Sequence, residues 1–332
     1  MRPSLDGYST PLYGDGVYLP HLDLWLDARD PQGLAVVSHA HGDHLGTHRM
    51  MIATPETTRL ARYRRGEELE AIEVPYGETW SHPEGRYDIT LLPAGHVLGA
   101  AQVLITEPNG RRTVYTGDFR LREPVHGPSA PIIPCDVLIM EATFGKPHYH
   151  FPPDRKELVK LYSLCRQAFA RKQTPIVFGY TLGKAQEALH YLLQGGFRVS
   201  VHGSIANICD LYEELGERFE GDWIPYDRET LAGRVLLAPT QTRKSKMVEN
   251  IEKRYTIYLS GWGMDSSAKW QFGVDTVLCL SDHADWPDLL RYVEVAQPQR
   301  VYTVHGFPEL AGHLRNQGYD ALHLETHQMT LF

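Results

Sequence analysis

Cysteine is scarce and poorly placed for metal binding: the four, Cys135, Cys165, Cys209 and Cys279, stand far apart with no CxxC pair, which argues against a zinc ribbon or a thioredoxin-type site. They read as reduced, mostly buried thiols. Long apolar runs are missing too. The hydrophobic stretches are of strand length, so no membrane-spanning helix is expected. The first eleven residues lack a basic start followed by an apolar stretch, and the expected location is the cytoplasm. Internal repeats and low-complexity tracts are absent, with Pro and Gly scattered as turn punctuation, which excludes a repeat array or a long linker. At 42% hydrophobic and 22% charged over 332 residues, the chain reads as folded throughout, either one large domain or a core with a smaller partner.

Basic charge is also in short supply. Lys and Arg number 33 against 41 Asp and Glu, net −8, which by itself argues against a polyanionic partner. The average hides an asymmetry: between Lys146 and Trp270 stand 18 basic and 14 acidic residues, net +4, leaving net −12 for the remainder. An acidic body that holds cations, with a basic insert that meets phosphates, fits those signs.

What is abundant is histidine, 17 in all, and its placement follows the apolar runs. These runs alternate with helical patterns, as in an α/β layered architecture. Run 34–37 leads into Ser38-His39-Ala40-His41-Gly42-Asp43-His44, run 89–92 into Pro93-Ala94-Gly95-His96, and run 113–115 into Thr116-Gly117-Asp118. Run 137–140 ends at Glu141, run 275–280 leads to Asp282 and His283, and run 301–304 ends at His305. Strand C-termini commonly gather active-site groups, so six such endings point to one shared site. Asn109-Gly110 marks a hairpin between 103–106 and 113–115. In the middle third, a strand at 176–178, a helix at 183–193 and a strand at 198–201 form a βαβ-like unit, hence a second subdomain inserted into the first.

Alternate residues at a strand end point the same way, so His39 and His41 can bind one cation while the turn at Gly42 aims Asp43 and His44 at a second. Imidazole and carboxylate without thiolate suit two divalent ions, zinc or manganese. His96 and His305 supply further ligands, and Asp118 between two cations is a natural bridge. Cations about 4 Å apart can clamp the attacking and leaving oxygens of an in-line displacement, which is phosphoester chemistry. Lys184, beside Gly183 at a helix start, is either a phosphate contact or a solvated helix residue. Ser260-Gly261-Trp262 is either a backbone donor with a stacking surface for a base, or core. The stretch Arg243-Lys244-Ser245-Lys246 reads as a solvated loop or a basic rim. His48, His82, His148, His150, His190, His202, His313, His323 and His327 are read as non-ligands.

The hexad His39 to His44, with His96, Asp118 and His305, resembles the ligand motifs of metallo-β-lactamase-fold hydrolases, and Asp27, closing Leu24-Trp25-Leu26-Asp27, resembles their first motif. Met140-Glu141-Ala142-Thr143-Phe144-Gly145 resembles β-CASP motif A, Asp282-His283-Ala284-Asp285 motif B, and Thr303-Val304-His305-Gly306 motif C. Gly183-Lys184-Ala185-Gln186-Glu187 is similar to the helix start of β-CASP caps. Val17-Tyr18-Leu19-Pro20, Ala53-Thr54-Pro55-Glu56-Thr57 and the stretch from Leu280 to Pro287 look like bacterial ligase-associated DNA exonucleases.

The resemblance implies a four-layer αββα sandwich from residues 1–145 and 271–332, interrupted by an α/β cap at 146–270, with a cleft that admits a single strand. It implies a metal-dependent hydrolase of nucleic acid: DNA favoured, exonucleolytic, in repair, with a functional link to a DNA ligase. His305 keeps an RNA-processing nuclease as the alternative, because Artemis-type DNA-repair nucleases usually lack a histidine at motif C. Family and geometry together assign His39, His41 and His96 to one metal, Asp43, His44 and His305 to the other, Asp118 to both, and Asp27 to orienting the ligands. Glu141 either keeps His283 cationic for proton delivery to the departing oxygen, or the pair only braces two loops.

Overall fold

A computed structural model describes Leu5 and residues 8–324. The chain divides into two units, one made of residues up to 148 and from 283 on, the other of residues 149–282. The first unit holds two sheets. A six-stranded sheet runs in the order Leu12–Tyr13, Val17–Leu19, Leu24–Leu26, Ala35–Val36, Met51–Ala53, Ala71–Glu73. A seven-stranded sheet runs Ala321–His323, Arg300–Gly306, Val137–Ala142, Arg112–Tyr115, Ala101–Thr106, Asp88–Pro93, Thr79–Ser81. Its first four strands are parallel and the rest antiparallel, the Asn109-Gly110 hairpin among them.

Successive side chains of a strand face opposite sides, so each strand serves two layers. In Val137–Ala142, Val137 and Ile139 join Leu24, Leu26 and Ile52 in a core between the sheets. Leu138, Met140 and Ala142 instead meet Leu289, Tyr292 and Leu310 on the outer face. In the other sheet Met51 and Ala53 turn away from that core toward Ala61 of helix Pro55–Arg65. The layers are therefore helix, sheet, sheet, helix, as the resemblance implied. Each fully buried Leu, Ile or Val contributes roughly 1.5–3 kcal/mol.

Helix Trp286–Ala296 shows how local sequence builds the outer layer. The Asp285 carboxylate accepts the Asp288 N–H at 3.1 Å, and Pro287 occupies the first turn, where its missing N–H costs nothing. Trp286, Leu289, Tyr292, Val293 and Ala296 then recur at helical spacing and are buried, and Gln297 ends the helix in the left-handed region at φ 49°.

The second unit is built on an all-parallel sheet ordered Trp223–Pro225, Val199–Val201, Val235–Pro239, Thr174–Gly179, Arg254–Leu259, Thr276–Leu278. Val235–Pro239 is buried along its whole length, the pattern of a central strand covered on both faces. Strand Thr174–Gly179, helix Lys184–Gln194 and strand Val199–Val201 follow one another as the sequence suggested. The unit continues past Trp270 to Asp282 because Thr276–Leu278 pairs with Arg254–Leu259. Over residues 149–282 the balance is 17 basic to 16 acidic, net +1, so the insert is close to neutral and the acidic excess belongs to the first unit. All four cysteines are buried and outside any disulfide, and burial pushes the Cys165 and Cys209 thiols up to about 12. Among the described residues no helix is long and apolar enough to cross a membrane.

Candidate metal centre

Five strand ends of the first unit converge. The loop after Ala35–Val36 carries His39, His41 and His44; His96 follows Asp88–Pro93; Asp118 follows Arg112–Tyr115; Glu141 and His305 lie near the ends of their own strands. Gly117 sits at φ 53°, and a Cβ there would stand 2.6 Å from the Ser38 hydroxyl, so only glycine lets the Asp118 loop close against the histidine loop.

One ligand atom from each of His39, His41, His96 and Asp118 lies within 4.8 Å of the other three. His41 Nδ1 stands 3.1 Å from His39 Nε2 and 3.2 Å from His96 Nε2. Asp118 Oδ2 stands 3.6 Å from His39 Nε2 and 3.7 Å from His96 Nε2. Two ligands at about 2.0–2.1 Å on a tetrahedral zinc are about 3.3 Å apart, so this spacing and donor set fit a divalent cation. On its other side Asp118 Oδ2 is 3.4 Å from His44 Nε2, which places it between two groups of donors.

Asp27 sits behind these ligands, as the resemblance implied. Its carboxylate accepts the Ser38 N–H and hydroxyl, each at 2.6 Å, and the Tyr115 hydroxyl at 2.8 Å, and it stands 2.8 Å from His44 Nδ1. That contact turns His44 Nε2 toward Asp118. Asp27 and His305 both adopt left-handed backbone, φ 50° and 53°, a strain on the order of 1–3 kcal/mol each that concentrates at functional sites. Ser38 Oγ is 3.0 Å from His39 Nδ1, and the Tyr13 hydroxyl is 3.1 Å from His305 Nδ1.

The second donor group is more open. Asp43 is 78% exposed, with a carboxylate oxygen 3.9 Å from His44 Nε2. The His305 ring lies 5.0 Å from the His44 ring. Neither residue belongs to a compact set of donors among the described residues; the sets formed within the first unit are His39, His41, His96 and Asp118, then Asp27, His39 and His44, then Asp118, Glu141 and His283. In the last of these, His283 Nδ1 stands 2.9 and 3.1 Å from the two Glu141 oxygens, and Glu141 also accepts the Phe119 N–H at 2.8 Å. The His283 ring is 4.6 Å from that of His96.

Burial, with the charges of His44 and His41, holds His39 well below the usual imidazole range and so keeps its lone pair available to a cation. Against the burial that lowers it, Asp118 and Asp27 hold His44 well above that range. Asp118 stays well below the carboxylate range because His44 and His283 outweigh its burial. Burial pushes Glu141 up, the His283 imidazole opposes it, and Asp118 adds to it.

The residues singled out in the insert fare differently. Lys184 is neither a solvated helix residue nor open to a phosphate: it is 2% exposed, and its ammonium stands 2.5 Å from Glu187 and 3.8 Å from Asp282. Ser260 and Gly261 are buried, Ser260 Oγ accepting the Trp262 N–H at 3.3 Å. Trp262 is half-buried against Tyr149, ring centroids 5.7 Å apart. Arg243 stacks over Tyr258 and Phe272 and is not a free loop cation. Among the histidines read as non-ligands, His48, His82, His202 and His323 make hydrogen bonds to Gln32, Glu84, Ser204 and Thr303, and His327 lies outside the described residues. Ser38, Tyr115, Phe119 and Tyr13 were missed by the sequence reading. Ser38 had a signal in its place beside His39; Tyr13 had none, its partner being 292 residues away.

Residues 268–328 match the family described as the zinc-dependent metallo-hydrolase RNA specificity domain. The chain is 39% identical over 315 residues to a "Probable DNA ligase" of Opitutus terrae, covering 93% of this chain and 30% of that protein. It is 38% identical over 214 residues to "Endoribonuclease ysh-1" of Neurospora crassa, covering 61% of this chain and 22% of that one. The chain thus spans less than a third of either relative. A crystal structure of a protein of unknown function from Enterococcus faecalis shares the fold, with a TM-score of 0.58 at 18% identity over 87% of this chain and 78% of that one. With its strand-end ligands, its Glu141–His283 pair and these relatives, the chain belongs to the β-CASP nuclease family of the metallo-β-lactamase fold.

Proposed function

We propose that the chain hydrolyses phosphodiester bonds of nucleic acid, that DNA is its substrate, and that it digests from an end in DNA repair. The observation that carries the hydrolytic reading is the Glu141–His283 pair set beside the donor cluster, with one atom each of Asp118, Glu141 and His283 within 4.8 Å. A general acid beside the donor cluster suits a phosphodiester, whose departing oxygen needs a proton.

His39, His41 and His96 would hold one cation and Asp43, His44 and His305 the other, with Asp118 between. Zinc or manganese bound there would supply charge neutralisation at the phosphate and activation of water. The protein's own groups do the rest. Asp27 and Ser38 fix the rings of His44 and His39. Glu141, anchored by the Phe119 N–H, holds His283 by Nδ1, and Nε2 would be the atom that delivers a proton to the departing oxygen.

The relative named as a DNA ligase, similar over 93% of this chain, supports DNA and a functional link to ligation. A second reading, RNA processing, is favoured by the relative named as an endoribonuclease, by the RNA specificity description of residues 268–328 and by the histidine at position 305. Four cysteines outside any disulfide support a reducing, cytoplasmic setting.

Matched end-labelled DNA and RNA strands, digested with zinc or manganese beside an Asp43→Ala control, test the proposal. Progressive shortening of DNA alone is expected. Preferential cutting of RNA would replace the first reading by the second, and loss of neither strand by a metal-loaded chain would end both.

A further inference from the structure

We propose that Tyr13 is the positioning residue for His305, and that through it the cation held by Asp43, His44 and His305 is the weaker and more exchangeable of the two. The inference rests on the ligand set proposed above and adds an inequality between its halves. An imidazole that binds a cation through Nε2 carries its proton on Nδ1, and its ring is fixed by whatever accepts that proton.

The acceptors differ around the centre. His44 has the buried carboxylate of Asp27 at 2.8 Å, itself held by three further donors. His305 has the phenol oxygen of Tyr13 at 3.1 Å, and the two rings also meet edge to face, 5.4 Å between centroids. Tyr13 lies on Leu12–Tyr13, the outermost strand of the six-stranded sheet, whereas His305 belongs to the seven-stranded sheet. The bond therefore ties a short edge strand to a residue held in strained left-handed backbone at φ 53°.

A neutral phenol raises ligand basicity less than a carboxylate does, and an edge strand fixes it less firmly than a core strand. The other ligands point the same way. His39, His41, His96 and Asp118 already stand at ligand spacing, whereas Asp43 is 78% exposed and must be drawn in. The first cation thus meets a formed site and the second completes a partly formed one.

The test is a titration of the chelator-stripped full chain with Co(II), following the visible spectrum and the stoichiometry by equilibrium dialysis. The native chain is expected to take up two ions in two steps. Tyr13→Phe keeps the ring contact and removes only the acceptor, so it should weaken the second step by about 10–100-fold and leave the first unchanged. A merely structural role would move both steps or neither. The inference is overturned if Tyr13→Phe leaves the second affinity within about twofold, if it weakens both steps alike, or if the native chain takes up no second ion. No substrate enters the measurement, so a chain that binds both cations as described yet cuts no nucleic acid sinks the proposed activity and leaves this inference standing.

Discussion

At the scale of single residues, His283 is where the chemistry is most exposed to challenge. Its ring is held by Glu141 and lies beside His96, but it is outside the set of His39, His41, His96 and Asp118. His283→Ala should therefore lower turnover by about 10²–10⁴ while metal content, measured on the same preparation, stays unchanged. Near-normal turnover would reduce the pair to a brace between two loops. Asp27 predicts the opposite split. Removing an outer carboxylate from a ligating histidine typically costs about 10–100-fold in metal affinity, so Asp27→Asn should lose cations first and activity only as a consequence, recoverable at high metal. Activity lost with cations still bound would contradict that role.

At the scale of elements, hairpin 101–115 carries a buried ion pair that fixes its turn. Arg111 Nε donates to Glu107 at 2.7 Å, and His21 stands 3.7 Å from the same carboxylate. Against the burial that raises it, His21 and Arg111 hold Glu107 down at about 2. A depressed carboxyl stabilises the fold above its unfolded value of about 4.3, and that contribution is lost as pH falls toward the folded value. Glu107→Gln, which strands Arg111, should cost about 3–5 kcal/mol near neutral pH, with the deficit shrinking between about pH 4.5 and 2. Denaturant melts across that range check it; a deficit independent of pH would mean that the charge is not what holds the turn. The strand carrying His305 makes a second prediction. Gly306 sits at φ 102°, and a Cβ there would collide with the Ala142 backbone, so Gly306→Ala should destabilise by about 1–3 kcal/mol in a thermal melt, and an unchanged melt would contradict it.

Elements were also where the sequence was most and least readable. An apolar run followed within a few residues by His, Asp or Glu announces both a strand and its cargo, so the ends at His39, His96, Asp118, Glu141 and His305 could be read from local order alone. The choice of sheet could not. Thr276–Leu278 is an apolar run like any other, and only its pairing with Arg254–Leu259, set by tertiary contact, carries the insert on to Asp282. Lys184 was legible only in part: its partner Glu187 is an i,i+3 neighbour on the same helix, but its burial and its approach to Asp282 are set by tertiary contact.

At the scale of the whole molecule, every proposed ligand lies in residues up to 148 or from 283 on, and none in residues 149–282. Cations at a hundred times their dissociation constants should therefore stabilise the first unit by about 2.7 kcal/mol for each ion bound and leave the second unchanged. Hydrogen exchange with and without chelator would show this as lost protection in strands such as Ala35–Val36 and Arg300–Gly306, with Val235–Pro239 unaffected; uniform loss would contradict it. The measurement that bears most directly on the whole account is anomalous diffraction at the zinc or manganese edge from metal-loaded crystals. Two peaks about 3.5–4 Å apart on either side of Asp118 are expected. A single peak, or none within reach of that carboxylate, would contradict the two-cation centre and the hydrolysis built on it.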